Sequence, residues 1–294
     1  MDNSTEDLRS LFDYDAGKPV DVRMTGTDAA IRDLEYRAAP ERWVRAYLVK
    51  PVPGPSQSAA VIFLHPAPGS RTTFLGEAMT LARMGAVSLL VDAPWAGDGA
   101  AAWGRALADP EGAVREHLQT VIGLRRGIDL LAARPDIDPD RIGFVGHSMG
   151  ALIGAVLAGV EERLAAAVLM AGTGRFADVA VLNMPALRGE NLARYRRTLA
   201  EIDPAAWVGR AAPTALLFES GLRDEFVTEE QSREFFERAG SPKSLKWYDA
   251  GHSLNDEARR DRIAWLGEHL SLDGRGTAGT AAHDITNEKI YHNW

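Results

Sequence analysis

The sequence predicts an α/β domain: a mostly parallel central sheet of about eight strands, helices on both faces, and a short cap insertion. Three observations predict it. From residue 59 onward, apolar runs alternate with segments of helical character, the order expected of strands separated by crossover helices. The runs are continuous rather than alternating polar and apolar, as strands buried on both faces require. One run passes directly into a G-x-S-x-G step and then into an apolar helix-like segment.

The elements follow in order. Residues 1–30 are polar and weakly patterned and read as an N-terminal arm, with a short strand near 20–24. Residues 31–37 and 43–50 read as two antiparallel strands joined at the Ala38-Ala39-Pro40 turn. The stretch Pro51-Val52-Pro53-Gly54-Pro55-Ser56 is a surface loop, because proline supplies no donor to a strand. Strand runs then fall at 59–64, 86–91, 141–145, 165–170, 213–218 and 244–248, and helical segments at 73–84, 112–134, 149–160, 229–239 and 254–270. Residues 31–270 form the main domain, and 271–294 read as a loosely held tail whose last five residues could dock.

Composition bounds the function. The chain has 294 residues, of which 46% are hydrophobic and 25% charged, as in ordinary soluble globular proteins. With no cysteine, disulfides and thiolate metal sites are excluded. A formal net charge of −8 argues against a nucleic-acid partner, which needs a basic footprint. The first ten residues lack the basic start and apolar run of a secretory signal, and no apolar stretch approaches the ~18 residues of a membrane span. A cytoplasmic location is expected by elimination. Nothing in the sequence calls for a metal or a cofactor, and composition leaves the oligomeric state open.

The chemistry-bearing step is Gly146-His147-Ser148-Met149-Gly150. A serine hydroxyl is a poor nucleophile in water and needs exposure, a base and stabilisation of the oxyanion. A sharp strand-to-helix turn exposes the Ser148 side chain, and the glycines two before and two after it relieve crowding there. The Met149 N–H then lies at a helix N-terminus, where negative charge is favoured. The motif alone is weak, since a glycine-rich turn also serves simply to pack a helix on a sheet. Its flanks are what give it weight.

Two later stretches complete a pattern. After the run ending at Phe218 comes Glu219-Ser220-Gly221-Leu222-Arg223-Asp224-Glu225-Phe226-Val227, and after the run ending at Tyr248 comes Asp249-Ala250-Gly251-His252-Ser253. With the serine step, these resemble the G-x-x-D-x-x-V and Gly-His segments of the α/β-hydrolase superfamily, in particular its dienelactone-hydrolase-like and acyl-esterase branches. The resemblance runs from about residue 31 to 270. It implies Ser148 as nucleophile, His252 as base and Asp224 as the acid that orients it, although Glu219 or Glu225 could carry the acid instead. It also implies a second oxyanion donor in His65-Pro66-Ala67-Pro68-Gly69-Ser70. Related enzymes usually have His-Gly there. Neither proline can donate, which leaves Ala67, with Gly69 second. His65 and His147 read as packing and hydrogen-bonding groups. Trp95, in the turn after residues 86–91, either lines the pocket or only packs.

Residues 173–209 are too long for a simple connection, contain helix-like pieces such as 190–201, and stand where this superfamily commonly inserts a cap. Phe176, Val179, Val181, Leu182, Met184, Leu187, Leu192, Tyr195 and Leu199 supply an apolar underside, with Met184 and Leu187 expected to reach substrate. The alternative is that they pack onto the main domain and touch none. Arg175, Arg188, Arg194, Arg196 and Arg197 either meet an anionic substrate or form a solvated face. The function this pattern implies is cleavage of a carboxylic ester or thioester of a small molecule through a covalent acyl intermediate. Acyl transfer, cyclisation or elimination with the same residues, a peptidase, and a binding protein that keeps only the fold are the alternatives. Fold by itself does not decide among them.

Overall fold

The computed structural model describes residues 8–26, 30–97, 99–184 and 187–272. Its nine-stranded sheet has the order β1-β2-β3-β5-β4-β6-β7-β8-β9. The parallel part comprises β4 (Ser58–Leu64), β5 (Val87–Val91), β6 (Ile137–His147), β7 (Leu164–Met170), β8 (Ala215–Gly221) and β9 (Lys243–Tyr248). An antiparallel edge is built from β1 (Val22–Met24), β2 (Ile31–Ala39) and β3 (Arg42–Val49).

The continuous apolar runs have a direct structural cause. Every residue of β4 is buried; Ala60, Ile62 and Leu64 enter one core layer, while Ala59, Val61 and Phe63 enter the other. The first layer is covered by α3 (Pro110–Ala132), α4 (Met149–Val160) and α8 (Glu229–Arg238), the second by α1 (Leu75–Arg83) and α9 (Asp256–His269). All twelve residues of α4 are buried, which fits its lack of a polar face. Helix starts follow local chemistry. The Asp109 side chain accepts from the Gly112 N–H ahead of Pro110, Thr228 and Gln231 form a reciprocal capping box, and the Asn255 side chain accepts from the Ala258 N–H.

The structure departs from the sequence expectations at several places. Nine strands replace about eight, because the three-residue β1 pairs with β2. The β2–β3 connection is tighter than expected: β2 runs through Ala39, with an irregularity between Arg37 and Ala39. β6 starts at Ile137 rather than at 141, because the polar residues Asp138, Pro139 and Asp140 interrupt the apolar pattern ahead of the expected run. A helix, α2 (Gly99–Leu107), stands where none was expected; its two glycines lower its intrinsic propensity, so packing against α3 supports it. The arm is tied to the domain. Phe12 is fully buried with its ring edge-on to Trp207 at 5.0 Å, the Arg125 guanidinium donates to Phe12 O at 2.9 Å, and the Tyr14 hydroxyl donates to Asp129 at 3.1 Å. The tail expected to dock, 273–294, lies outside the described residues.

The 173–209 insertion contains α5 (Phe176–Asn183), α6 (Gly189–Leu199) and α7 (Pro204–Trp207). Its base is closed by the Phe176 N–H, which donates to the Asp203 carboxyl at 2.9 Å, and by the Ala205 N–H, which donates to Gly174 O at 2.9 Å.

Candidate active site

The loops after β4, β6, β8 and β9 carry Ala67, Ser148, Asp224 and His252, all at the carboxyl edge of the parallel strands. Open α/β sheets place their ligands at this edge. Ser148 lies between β6 and α4 with φ 54° and ψ −118°, a left-handed conformation that costs energy for a residue with a side chain. It is held there by its own backbone. The Ser148 N–H donates to Met170 O at 2.8 Å, and Ser148 O accepts from the N–H groups of Ala151 and Leu152. The turn also needs its glycines. A Cβ on Gly150 would strike Leu64 O, and one on Gly146 would strike Gly150 O, so α4 can start this close to β4 only without side chains at those positions.

His252 and Asp224 are paired. The ring Nδ1 donates to the carboxylate at 2.9 Å, with side-chain exposures of 13% and 2%, so the pair is largely desolvated. Burial on its own would raise the Asp224 carboxyl. The His252 ring and the N–H groups of Val227 and Phe226, donating at 2.9 and 2.8 Å, outweigh that and hold it below the usual carboxylate range. The two other acids weighed from sequence do different work. Glu225 accepts the His252 backbone N–H at 3.2 Å. Glu219 is fully buried against Arg262 and Tyr248, and burial pushes it up to about 7.

His147 links the serine turn to the histidine loop. Its Nε2 lies 2.8 Å from His252 O; a carbonyl only accepts, so Nε2 carries the proton. Burial pushes His147 down to about 3, which keeps the ring neutral and in that tautomer at ordinary pH.

A second contact set orients the loop after β4. The Ala93 N–H donates to His65 Nε2 at 3.0 Å, which places the proton of the neutral ring on Nδ1. That Nδ1 donates to Pro66 O at 2.8 Å, and Trp95 Nε1 donates to the same carbonyl at 2.8 Å. The Pro66–Ala67 peptide is not among the cis bonds, and in a trans peptide the carbonyl and the following N–H point in opposite directions. Holding Pro66 O against His65 and Trp95 therefore turns the Ala67 N–H away from them. The runner-up, Gly69, has a packing role: a Cβ there would lie 2.7 Å from Pro66 O and 2.9 Å from His65 Nδ1. The sequence reading missed this device, although a tryptophan in the turn after a strand next to a His-Pro step was its visible signal.

Ala67 and Met149 share the wall of one cavity of about 260 Å³ with Trp95 and Met184. Leu187 does not belong to that wall, which corrects the sequence expectation. Its N–H closes a turn onto Met184 O at 2.8 Å, and its half-buried side chain packs against the main core. Of the other apolar residues expected beneath the cap, Phe176, Val179 and Tyr195 line the cavity, Leu199 is fully buried in the core, and Leu182 is 49% exposed. Among the described residues, no group of three or more His, Asp or Glu side chains could hold a metal, and no helix is long and apolar enough to cross a membrane.

The profile of the Dienelactone hydrolase family matches residues 44–273, which is most of the chain and spans all of these positions. The chain belongs to the dienelactone hydrolase family. As a member of the dienelactone hydrolase family it is a hydrolase with an α/β fold, and solved structures agree on that fold. An acetyl xylan esterase from Paenibacillus sp. R4 superposes with a TM-score of 0.72 at 18% identity, over 90% of this chain and 92% of that one. Acetyl xylan esterase 1 from Thermoanaerobacterium sp. JW/SL YS485 gives 0.72 at 16% identity, over 91% and 94%. A cold-adapted esterase from an Arctic intertidal metagenomic library gives 0.60 at 18% identity, over 84% and 97%. None of the curated proteins matches the sequence.

Proposed function

We propose that this dienelactone hydrolase family member is a serine hydrolase that cleaves a carboxylic ester or thioester of a small molecule through an acyl-enzyme on Ser148. One observation carries the reading: Ser148 is strained into a left-handed turn at the edge of the sheet where the largely desolvated Asp224–His252 pair also lies, 2.9 Å apart. His252 Nε2 takes the Ser148 proton as Oγ bonds to the substrate carbonyl carbon, and Asp224 stabilises the imidazolium that results. The N–H groups of Met149, at the positive end of α4, and of Ala67 receive the oxyanion. Collapse of the tetrahedral species expels the alcohol or thiol, which takes the proton from His252. Water then repeats the sequence on the acyl-enzyme and returns Ser148 to its hydroxyl form. Likeness in fold to two acetyl xylan esterases and a cold-adapted esterase favours an ester over an amide substrate.

The test is covalent labelling and turnover together. A fluorophosphonate should add to Ser148, seen by mass spectrometry of its peptide. Ser148→Ala should lose the adduct and several decades of ester turnover, and Asp224→Asn about three decades. Glu225→Gln should change turnover little. A Ser148→Ala enzyme within about tenfold of the parent would refute the assignment.

A further inference from the structure

We propose that the cavity beside Ala67 and Met149 receives an uncharged, ring-sized hydrocarbon part of the ester, so that acetyl esters of small alcohols are poor substrates. This rests on the serine-esterase reading and names the substrate class of that same site. The cavity of about 260 Å³ has room for ~9 non-hydrogen atoms, at the ~30 Å³ each water occupies in the liquid. An acetyl group would leave most of that space empty.

The walls decide the chemistry. No residue lining the cavity carries a formal charge at neutral pH. The two that could ionise do not: burial pushes His117 down to about 3, and burial with the nearby Asp203 raises the Tyr195 phenol. Three arginines of the insertion are engaged elsewhere, Arg175 with Glu234, Arg194 with Glu111 and Arg197 with Glu190, so none of these three answers a carboxylate inside the cavity. A charged group entering would be desolvated without a partner. Aromatic rings supply much of the wall. Trp95 and Trp103 lie 5.0 Å apart at a tilt of 50°, and His117 stacks on Phe176 at 3.9 Å. Such faces and edges receive another ring or a flat hydrocarbon well. The pocket is also composite: Trp103 comes from α2, His117 from α3, and Phe176 and Tyr195 from the insertion.

Whether the acyl or the alcohol half fills the cavity is separated by two substrate series followed by pH-stat titration. One series is ethyl acetate, hexanoate and benzoate; the other is ethyl, hexyl and benzyl acetate. The expected result is a kcat/KM at least tenfold above ethyl acetate for the bulky members of one series, and no such gain for ethyl 4-carboxybenzoate. Ala100→Trp, at an exposed α2 position that also lines the cavity, should remove that gain while the fluorophosphonate still labels Ser148. Ala180→Met narrows the cavity from the opposite wall and should act in the same direction. Ethyl acetate as the best substrate of both series, or a preference indifferent to both substitutions, would overturn the proposal while Ser148 labelling still upheld the serine reading. Failure of the serine reading itself would instead show as absent labelling and no ester turnover at all.

Discussion

A trans peptide unit lets a buried contact on its carbonyl side aim the N–H on its other side, and Pro66–Ala67 uses that property. Trp95 Nε1 and His65 Nδ1 both donate to Pro66 O, so the Ala67 N–H, the proposed oxyanion donor, is oriented by groups that need never touch an oxyanion. Trp95→Phe keeps an aromatic wall and removes one of the two donors. Turnover of a small ester such as ethyl acetate should fall about fivefold in kcat with KM little changed, since one hydrogen bond of ~1 kcal/mol to the positioning carbonyl is lost. Steady-state kinetics check this, and an unchanged kcat would mean that His65 alone sets the peptide. Ser148, His252 and Asp224 could be picked out from motif register, because a glycine-flanked serine and a Gly-His step leave local traces. The Trp95–Pro66 contact joins residues 29 positions apart, and its only trace is a tryptophan in a turn that no local window pairs with the His-Pro step.

The insertion is the element in which sequence and structure differ most in detail. An apolar underside was legible from composition, but which side chains face the cavity depended on how the chain turns between α5 and α6. Met184 reaches the cavity and Leu187 packs on the core. At the base of the insertion, Asp203 is 8% exposed, and burial pushes its carboxyl up to about 7 despite the Phe176 N–H. Between the ordinary aspartate value and about 7, the folded chain keeps a proton that the unfolded chain has lost. Stability contributed by this group is therefore full at low pH and declines as pH rises through that window, by at most about 1.4 kcal/mol per pH unit. Asp203→Asn keeps the acceptor for Phe176 and cannot ionise. Its melting temperature should match the parent near pH 4, exceed it increasingly up to about pH 7, and keep a constant margin above that. Parallel melting curves across that range would show that Asp203 stays charged at no cost.

At the scale of the whole molecule, the N-terminal arm belongs to the same core as the site. Phe12 is fully buried against Trp207, which closes the insertion, and β1 adds a strand to the antiparallel edge. Phe12→Ala should cost about 3–5 kcal/mol, as for other large buried aromatics reduced to alanine. Denaturant unfolding measures this directly. A loss under about 1 kcal/mol would mean that the arm rests on the surface of an independently stable domain.

The sequence by itself determined the α/β class, the parallel centre of the sheet and the chain order of the proposed nucleophile, acid and base. Each of these is written in local patterns: continuous apolar runs for strands buried on both faces, glycines where α4 approaches β4, and motif register on the loops after β8 and β9. Only the tertiary structure decided that Asp224, rather than Glu219 or Glu225, meets the His252 ring. Three acids within seven residues look alike in sequence, and strand pairing together with the Arg262 and Tyr248 contacts separates them. It also decided α2, whose nine residues are too few to hold a helix without packing, and the docking of Phe12, whose partner Trp207 is nearly two hundred positions away. The cavity is the clearest case. Its walls come from α2, α3, the start of α4 and the insertion, and no window of sequence contains more than a fraction of them, because their proximity is a product of the packed sheet rather than of any local preference.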